Sequence, residues 1–112
     1  MNITKDVVDG LTIIVVSGDI DTVTSPGLQE VLSKEVEDGT INHILDLCDT
    51  RYISSMGLRV LLNHLKKIKK LGGKFIISGC NPLIEEIFEI SGFLQYFSLA
   101  SSRKDALNLA NA

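Results

Sequence analysis

The sequence predicts an α/β domain built on a mainly parallel sheet, and three observations lead there. Apolar runs of strand length alternate with stretches whose apolar residues recur every three or four positions, as strand-helix crossovers require. A hairpin signal opens the chain, so one strand is expected antiparallel at a sheet edge. Connections of about two to eight residues leave no long linker or low-complexity segment, and residues 1–112 read as one domain.

Ile3, Val7, Val8, Ile13, Ile14, Val15 and Val16 are β-branched and flank Asp9-Gly10, a dipeptide suited to a two-residue hairpin turn. Ser25 is the predicted N-cap of a first helix, with Pro26 at its first position. Leu28, Val31, Leu32 and Val36 follow at helical spacing until Asp38-Gly39 ends the run. Ile41 to Leu47 is a short apolar run expected to be a strand buried on both faces. Leu58, Leu61, Leu62, Leu65 and Ile68 form one apolar stripe on a second helix that stops at Gly72-Gly73. Lys74 to Ser78 reads as the next strand. Asn81-Pro82 then starts a third helix with Leu83, Ile84, Ile87 and Phe88 facing inward, ended by Ser91-Gly92. Phe93 to Leu99 is a further strand candidate, and Ser102 caps a short fourth helix carrying Ala106, Leu107 and Leu109.

Composition narrows the function. The 112 residues are 45% apolar and 22% charged, an ordinary globular balance. Eleven basic against fourteen acidic residues give a net charge of −3, so no positive excess exists to neutralise nucleic-acid phosphates or dock on anionic lipid. Nucleic acid and membrane are therefore not expected partners. Runs such as Ile13 to Val16 fall far short of the roughly 20 residues that span a bilayer. Met1 to Gly10 holds Asp6 and Asp9 and lacks the basic start and apolar core of a secretory signal, so a cytoplasmic protein is expected.

Cys48 and Cys80 have no CxxC spacing and are expected to be reduced, buried thiols. His43 and His64 lack ligand spacing and read as ordinary strand and helix residues. Lys66, Lys67, Lys69 and Lys70 complement the dipole at a helix C-terminus and read as a solvated face, an acidic-partner patch being the alternative. No Walker loop or Gly-x-Gly-x-x-Gly occurs, so no nucleotide cofactor is implied.

The informative segment runs from Leu45 to Leu58, a buried strand leading through a polar loop into the stripe helix, with Ser54 and Ser55 adjacent at the helix start. One reading is structural, a serine N-cap contributing about 1 kcal/mol. The other is chemical. Unpaired N–H groups and the positive dipole end at a helix N-terminus tolerate a phosphate dianion on a serine. Gly57 either gives a partner close access or permits tight helix packing.

Tyr52-Ile53-Ser54-Ser55-Met56-Gly57-Leu58, the Gly18-Asp19-Ile20-Asp21 turn and the Leu45-Asp46-Leu47 strand together resemble the STAS-domain proteins of the anti-sigma factor antagonist family, over essentially the whole chain. The resemblance implies that Ser55 is phosphorylated by an anti-sigma factor with serine kinase activity, with Ser54 the alternative acceptor. Ser54 and Met56 stand where many members carry an aspartate and a small residue. It further implies reversal by a PP2C-type serine phosphatase and a partner surface formed by Asp21, Ser54, Ser55, Met56 and Gly57. The protein would then bind the anti-sigma factor when unmodified, freeing a sigma factor, and release it when phosphorylated; another kinase-coupled partner switch is the alternative. Two other classes fit less well. A small α/β hydrolase would need a Gly-x-Ser-x-Gly elbow, and Ile53 stands at the first glycine. An aspartyl-phosphate receiver has Asp19, Asp21 and Asp46 to draw on, but no lysine follows a late strand. The sequence therefore predicts a binding module rather than an enzyme.

Overall fold

In the computed structural model, which describes residues 1–111, the chain opens with β1 (Asn2–Val8) and β2 (Leu11–Ser17), paired antiparallel. Asp9 and Gly10 between them both take positive φ, 52° and 79°, which a two-residue turn of matching twist demands. β3 (Asn42–Asp49), β4 (Lys74–Ser78) and β5 (Ser98–Ala100) add in parallel, giving the sheet order β1-β2-β3-β4-β5. The helices are α1 (Ser25–Glu37), α2 (Ser55–Lys70), α3 (Pro82–Ile90) and α4 (Arg103–Ala110). This is the mixed sheet with four helices that the patterning predicts. Among the described residues, no helix is long and apolar enough to cross a membrane.

Strand alternation divides the core between the two faces. Leu45 and Leu47 of β3 meet Leu28 and Leu32 of α1, Leu58, Leu61 and Leu65 of α2, and Ile84 and Phe88 of α3 in one large cluster. Ile44, with Leu11, Ile13 and Ile76, packs instead on Ala106 and Ala110 of α4. On that second face Asp46 is buried within the sheet. Its Oδ1 accepts the Cys48 N–H at 3.0 Å, and its Oδ2 meets Nε and Nη2 of Arg103 at 3.4 and 3.3 Å. A carboxylate removed from water needs such partners, and Arg103 at the start of α4 thereby fixes that helix to the sheet.

Four local expectations are corrected. Thr24, not Ser25, is the α1 N-cap, and it makes no side-chain capping bond. Ser25 is wholly buried and its Oγ donates to the Asp21 carbonyl, because the turn before it is already closed by the Asp21 carboxylate. Leu83 is half exposed while Ile84 and Phe88 are buried, since the buried stripe of α3 runs through residues 84, 87 and 88 at helical spacing and Leu83 lies off it. Phe93 to Leu99 is a strand only from Ser98; before it lies a 3₁₀ turn, Leu94–Tyr96, after which Phe97 is buried in the core, with Phe93 and Leu99 partly buried against it. Cys48 is exposed rather than buried, sitting past the covered part of β3, whereas Cys80 is half-buried and its thiol is pushed up to about 12 by burial.

His43 and His64, unremarkable in sequence, form a buried pair. They are 0% and 4% exposed, and His43 Nδ1 lies 2.9 Å from His64 Nε2. The neighbouring groups set the proton positions. Thr40 Oγ1 donates to the Glu35 carbonyl, so it accepts from His43 Nε2–H, which also faces the Thr40 carbonyl at 3.0 Å. Nδ1 of His43 is then an acceptor, and His64 Nε2–H donates to it. This chain of neutral hydrogen bonds ties α2 to β3 and to the end of α1, with Phe75 edge-on against His64.

Burial, then the neighbouring His43 and Lys67, lowers His64 to about 3, and burial likewise lowers His43. The unfolded chain takes up protons on both rings below about pH 6.5 while the folded rings, lowered by burial, take them up only at lower pH, so this stability is full above that pH and is lost as pH falls, for His64 down to about 3. For His64 the loss is up to about 1.4 kcal/mol per pH unit across that window. Urea midpoints are expected to fall between pH 7.5 and 5.5, and His64→Leu is expected to flatten that dependence; an unchanged midpoint in the parent chain would contradict it.

Candidate functional site

Three loops meet at the C-terminal ends of β2, β3 and β4. Between the first two, the Gly18 N–H donates to the Asp49 carbonyl and the Ile20 N–H to the Tyr52 carbonyl, both at 3.0 Å. The Ser54 N–H returns to the Ile20 carbonyl at 2.8 Å. Ile20 and Ile53 thus form an isolated parallel bridge, both side chains fully buried. Thr50 Oγ1 adds a bond to the Val16 carbonyl at 3.0 Å. The third loop joins through Asn81, whose Oδ1 caps α3 at the Ile84 N–H while its Nδ2 donates to the Arg51 carbonyl at 3.1 Å. The residues before α2 are therefore held from both sides.

The two serines stand in different environments. Ser54 is the N-cap of α2, with extended backbone and its Oγ accepting the Gly57 N–H at 3.1 Å. Ser55 is the first helical residue and is exposed, and its hydroxyl has no hydrogen-bond partner among the described residues. Met56 beside it is also exposed. Gly57 is buried for a packing reason: a Cβ there would lie 2.7 Å from Ile20 Cγ2, 2.8 Å from Ile53 Cγ1 and 3.2 Å from the Ile20 carbonyl oxygen. The start of α2 sits directly on the Ile20–Ile53 pair, and only glycine permits that approach.

Asp21 follows Ile20 and so lies on the same rim. Its Oδ1 accepts the Val23 and Thr24 N–H groups, each at 2.9 Å, and the Thr24 hydroxyl at 3.1 Å. These bonds, the Thr24 N–H foremost, hold its carboxyl below the usual carboxylate range. Asp21 thus shapes a turn and leaves Val23 standing 86% exposed. Val23, Tyr52, Met56 and Leu83 are large apolar side chains exposed on the loops and helix starts of this end of the sheet. Asp19 and Arg51 add a loose ion pair at 3.8 Å.

Among the described residues, no acidic or basic side chain hydrogen-bonds the Ser55 hydroxyl. Both histidines are bound to each other in the core, and His64 lies nine residues along α2, about 13 Å by helical rise. The arrangement offers an exposed hydroxyl at a helix N-terminus, where N–H groups and the dipole favour negative charge, framed by apolar side chains. That is chemistry for accepting a group and for meeting a partner. Sequence reasoning located Ser54, Ser55 and Gly57; it missed Ile20, Ile53 and the second bond of Asn81, which depend on residues some thirty or more positions apart meeting.

The family model described as STAS domain matches residues 2–106. BtrV of Bordetella bronchiseptica, classed as an anti-sigma factor antagonist, is 37% identical over 106 residues, spanning 95% of this chain and 91% of that protein. The anti-sigma-B factor antagonist of Staphylococcus aureus is 32% identical over 92 residues, spanning 82% and 85%. Among solved structures, an anti-sigma factor antagonist from Mycobacterium paratuberculosis superposes with a TM-score of 0.90 at 27% identity, covering 99% of this chain and 94% of that one. The Bacillus antagonist SpoIIAA shares the fold in its unphosphorylated form, with a TM-score of 0.76 at 13% identity over 99% of both chains. Its phosphorylated form gives 0.73 at 16% identity, over 96% of this chain and 98% of that one.

The geometry assigns separable costs to three substitutions. Ser54→Ala removes a cap and is expected to cost about 1 kcal/mol, whereas Ser55→Ala, with no partner to lose, should stay within about 0.5 kcal/mol. Gly57→Ala gains up to about 1 kcal/mol of helix propensity but overpacks the isoleucine pair by roughly 1–3 kcal/mol, for a net loss. Denaturant unfolding of the three variants checks this order; a Gly57→Ala protein more stable than the parent would refute the packing account.

Proposed function

The chain belongs to the STAS-domain family, and from that premise we propose that it is an anti-sigma factor antagonist switched by phosphorylation of Ser55. The observation that carries this reading is the division of labour between adjacent serines: Ser54 is engaged in capping α2, while the Ser55 hydroxyl is exposed and unbonded. A kinase can reach Ser55 without opening the fold. The proposed donor is ATP held by an anti-sigma factor with serine kinase activity: the Ser55 oxygen attacks the γ-phosphorus, ADP leaves, and the serine proton passes to a base on the kinase. A PP2C-type phosphatase would hydrolyse the ester and restore the serine.

Unmodified protein binds the anti-sigma factor through Ser55 and the exposed Val23, Tyr52, Met56 and Leu83 of this end of the sheet. Asp21 contributes by holding the Val23 turn rather than by offering a free carboxylate. Gly57 contributes by seating α2 on Ile20 and Ile53. Phosphate adds about −1.5 to −2 charges at Ser55. On the free protein the helix N-terminus accommodates that charge, so the fold persists. In the complex the same dianion must leave water at the centre of an interface of roughly 800 Å² per partner, a cost of several kcal/mol unless cations face it. A hundredfold loss of affinity requires only about 2.7 kcal/mol.

Incubation with the cognate kinase and ATP is expected to add one phosphate, on Ser55, by peptide mass spectrometry. Calorimetric titration is then expected to give at least a hundredfold weaker binding of the anti-sigma factor to the phosphorylated form, with unchanged circular dichroism. Ser55→Ala should bind the partner even with ATP present. Equal affinities of the two forms, or phosphate on Ser54 alone, would reject this mechanism.

A further inference from the structure

The far end of α2 carries a second surface, independent of Ser55. Leu62 and Leu65 face Phe93 and Tyr96 across a groove of about 300 Å³, and a second lobe of about 280 Å³ shares Leu65, Lys69 and Tyr96 and runs on to Leu109 of α4. The groove exists because β5 is three residues long and pairs with β4 only from Ile76 onward, leaving Lys74 and Phe75 without a neighbouring strand on that side. Tyr96 and Leu109 are 50% and 47% exposed there, although each packs its body along the groove.

Its charge has one sign. Among the described residues, every charged side chain lining the two lobes is a lysine, Lys66, Lys69 and Lys74, in a chain whose net charge is −3. Lys66 and Lys69 make no ion pair among the described residues, and Lys74 Nζ donates to the Ala110 carbonyl. Complementing the α2 dipole accounts for lysines in the last turn. It does not account for Lys74, which lies on a strand, nor for the placing of residues 62, 65, 66 and 69 at i, i+3, i+4 and i+7, which puts two leucines and two lysines along one helix edge.

We propose that this groove docks an acidic peptide segment of a partner protein, with apolar anchors entering between Leu65 and Tyr96 and carboxylates meeting Lys66, Lys69 and Lys74. Fourteen residues of helix separate Ser55 from Lys69, about 21 Å by helical rise. That exceeds the roughly 8 Å over which charges act at physiological salt. Occupancy of the groove is therefore independent of phosphate at Ser55, and the protein can hold one partner at each end of α2.

Selection of a displayed random 16-residue peptide library on the intact protein tests the proposal. The expected peptides carry two or more acidic residues beside an aromatic or leucine, bind with an affinity that falls as salt rises, and perturb backbone amide NMR signals around Leu62–Lys69 and Phe93–Ser98. Lys66→Glu/Lys69→Glu is expected to weaken them at least tenfold and Ser55→Asp to leave them unchanged, with circular dichroism showing both variants folded. Lys66→Gln/Lys69→Gln, which keeps the size and removes the charge, should give an intermediate loss. Recovery of no acidic peptide that depends on the two lysines would overturn the proposal. So would a groove that instead binds phosphatidylglycerol vesicles, or that forms a dimer abolished by the double variant, since lipid or a second copy would then be the occupant.

Discussion

The seam between the β2–α1 and β3–α2 loops is the constraint on which the functional end of this protein depends. The Ile20 N–H donates to the Tyr52 carbonyl and the Ile20 carbonyl accepts the Ser54 N–H, and its side chain lies with Ile53 under the first turn of α2. Without that seam, the backbone before α2 would be a free loop and the helix start could drift by a turn. With it, the N-cap, the first helical residue and the buried glycine take fixed places, and only one of the two serines is left for chemistry. The rigidity has an energetic source: two wholly buried isoleucines contribute about 1.5–3 kcal/mol each, and the loop amides around them are satisfied within the seam.

Polar groups buried elsewhere fasten the helices to the sheet in a directional way that apolar packing alone does not supply. On one face the His43–His64 pair registers α2 against β3; on the other the Asp46–Arg103 contact registers α4. Removing either histidine, or Arg103, leaves an unpaired polar group in the core, whereas the Arg103 side chain is 40% exposed and would return to water without Asp46. The buried pairing of the two histidines also keeps both imidazoles in the core, away from Ser55.

A rigid frame suits a switch whose signal is charge. The helix N-terminus accepts negative charge without rearrangement, so the proposed phosphorylation would leave the fold intact and act where another surface must approach. α2 carries contrasting chemistry at its two ends, an uncharged hydroxyl framed by apolar side chains at one and a lysine-rimmed groove at the other. Those ends lie farther apart than electrostatic screening allows them to communicate.

Local physics made most of the fold legible in advance. The Asp9-Gly10 turn, the Leu58–Ile68 stripe, the Asn81 and Ser102 caps and the alternation of apolar runs each act within a few residues, and each appears where its pattern places it. The Ser54-Ser55 pair was legible for the same reason, as a cap signal with a spare hydroxyl. What sequence could not decide rests on contacts between distant segments. Asp21 closing its own turn displaced the predicted cap from Ser25, and the end of the covered sheet left Cys48 in solvent. His43 and His64 became partners only because β3 and α2 pack face to face. Gly57 had two readings in sequence, partner access or tight packing, and the tertiary structure decided for packing, because the atoms that exclude a side chain there belong in part to Ile20, on another loop. Sequence determined which elements form and which residues could carry chemistry; three-dimensional packing decided which of those residues remained free to do so.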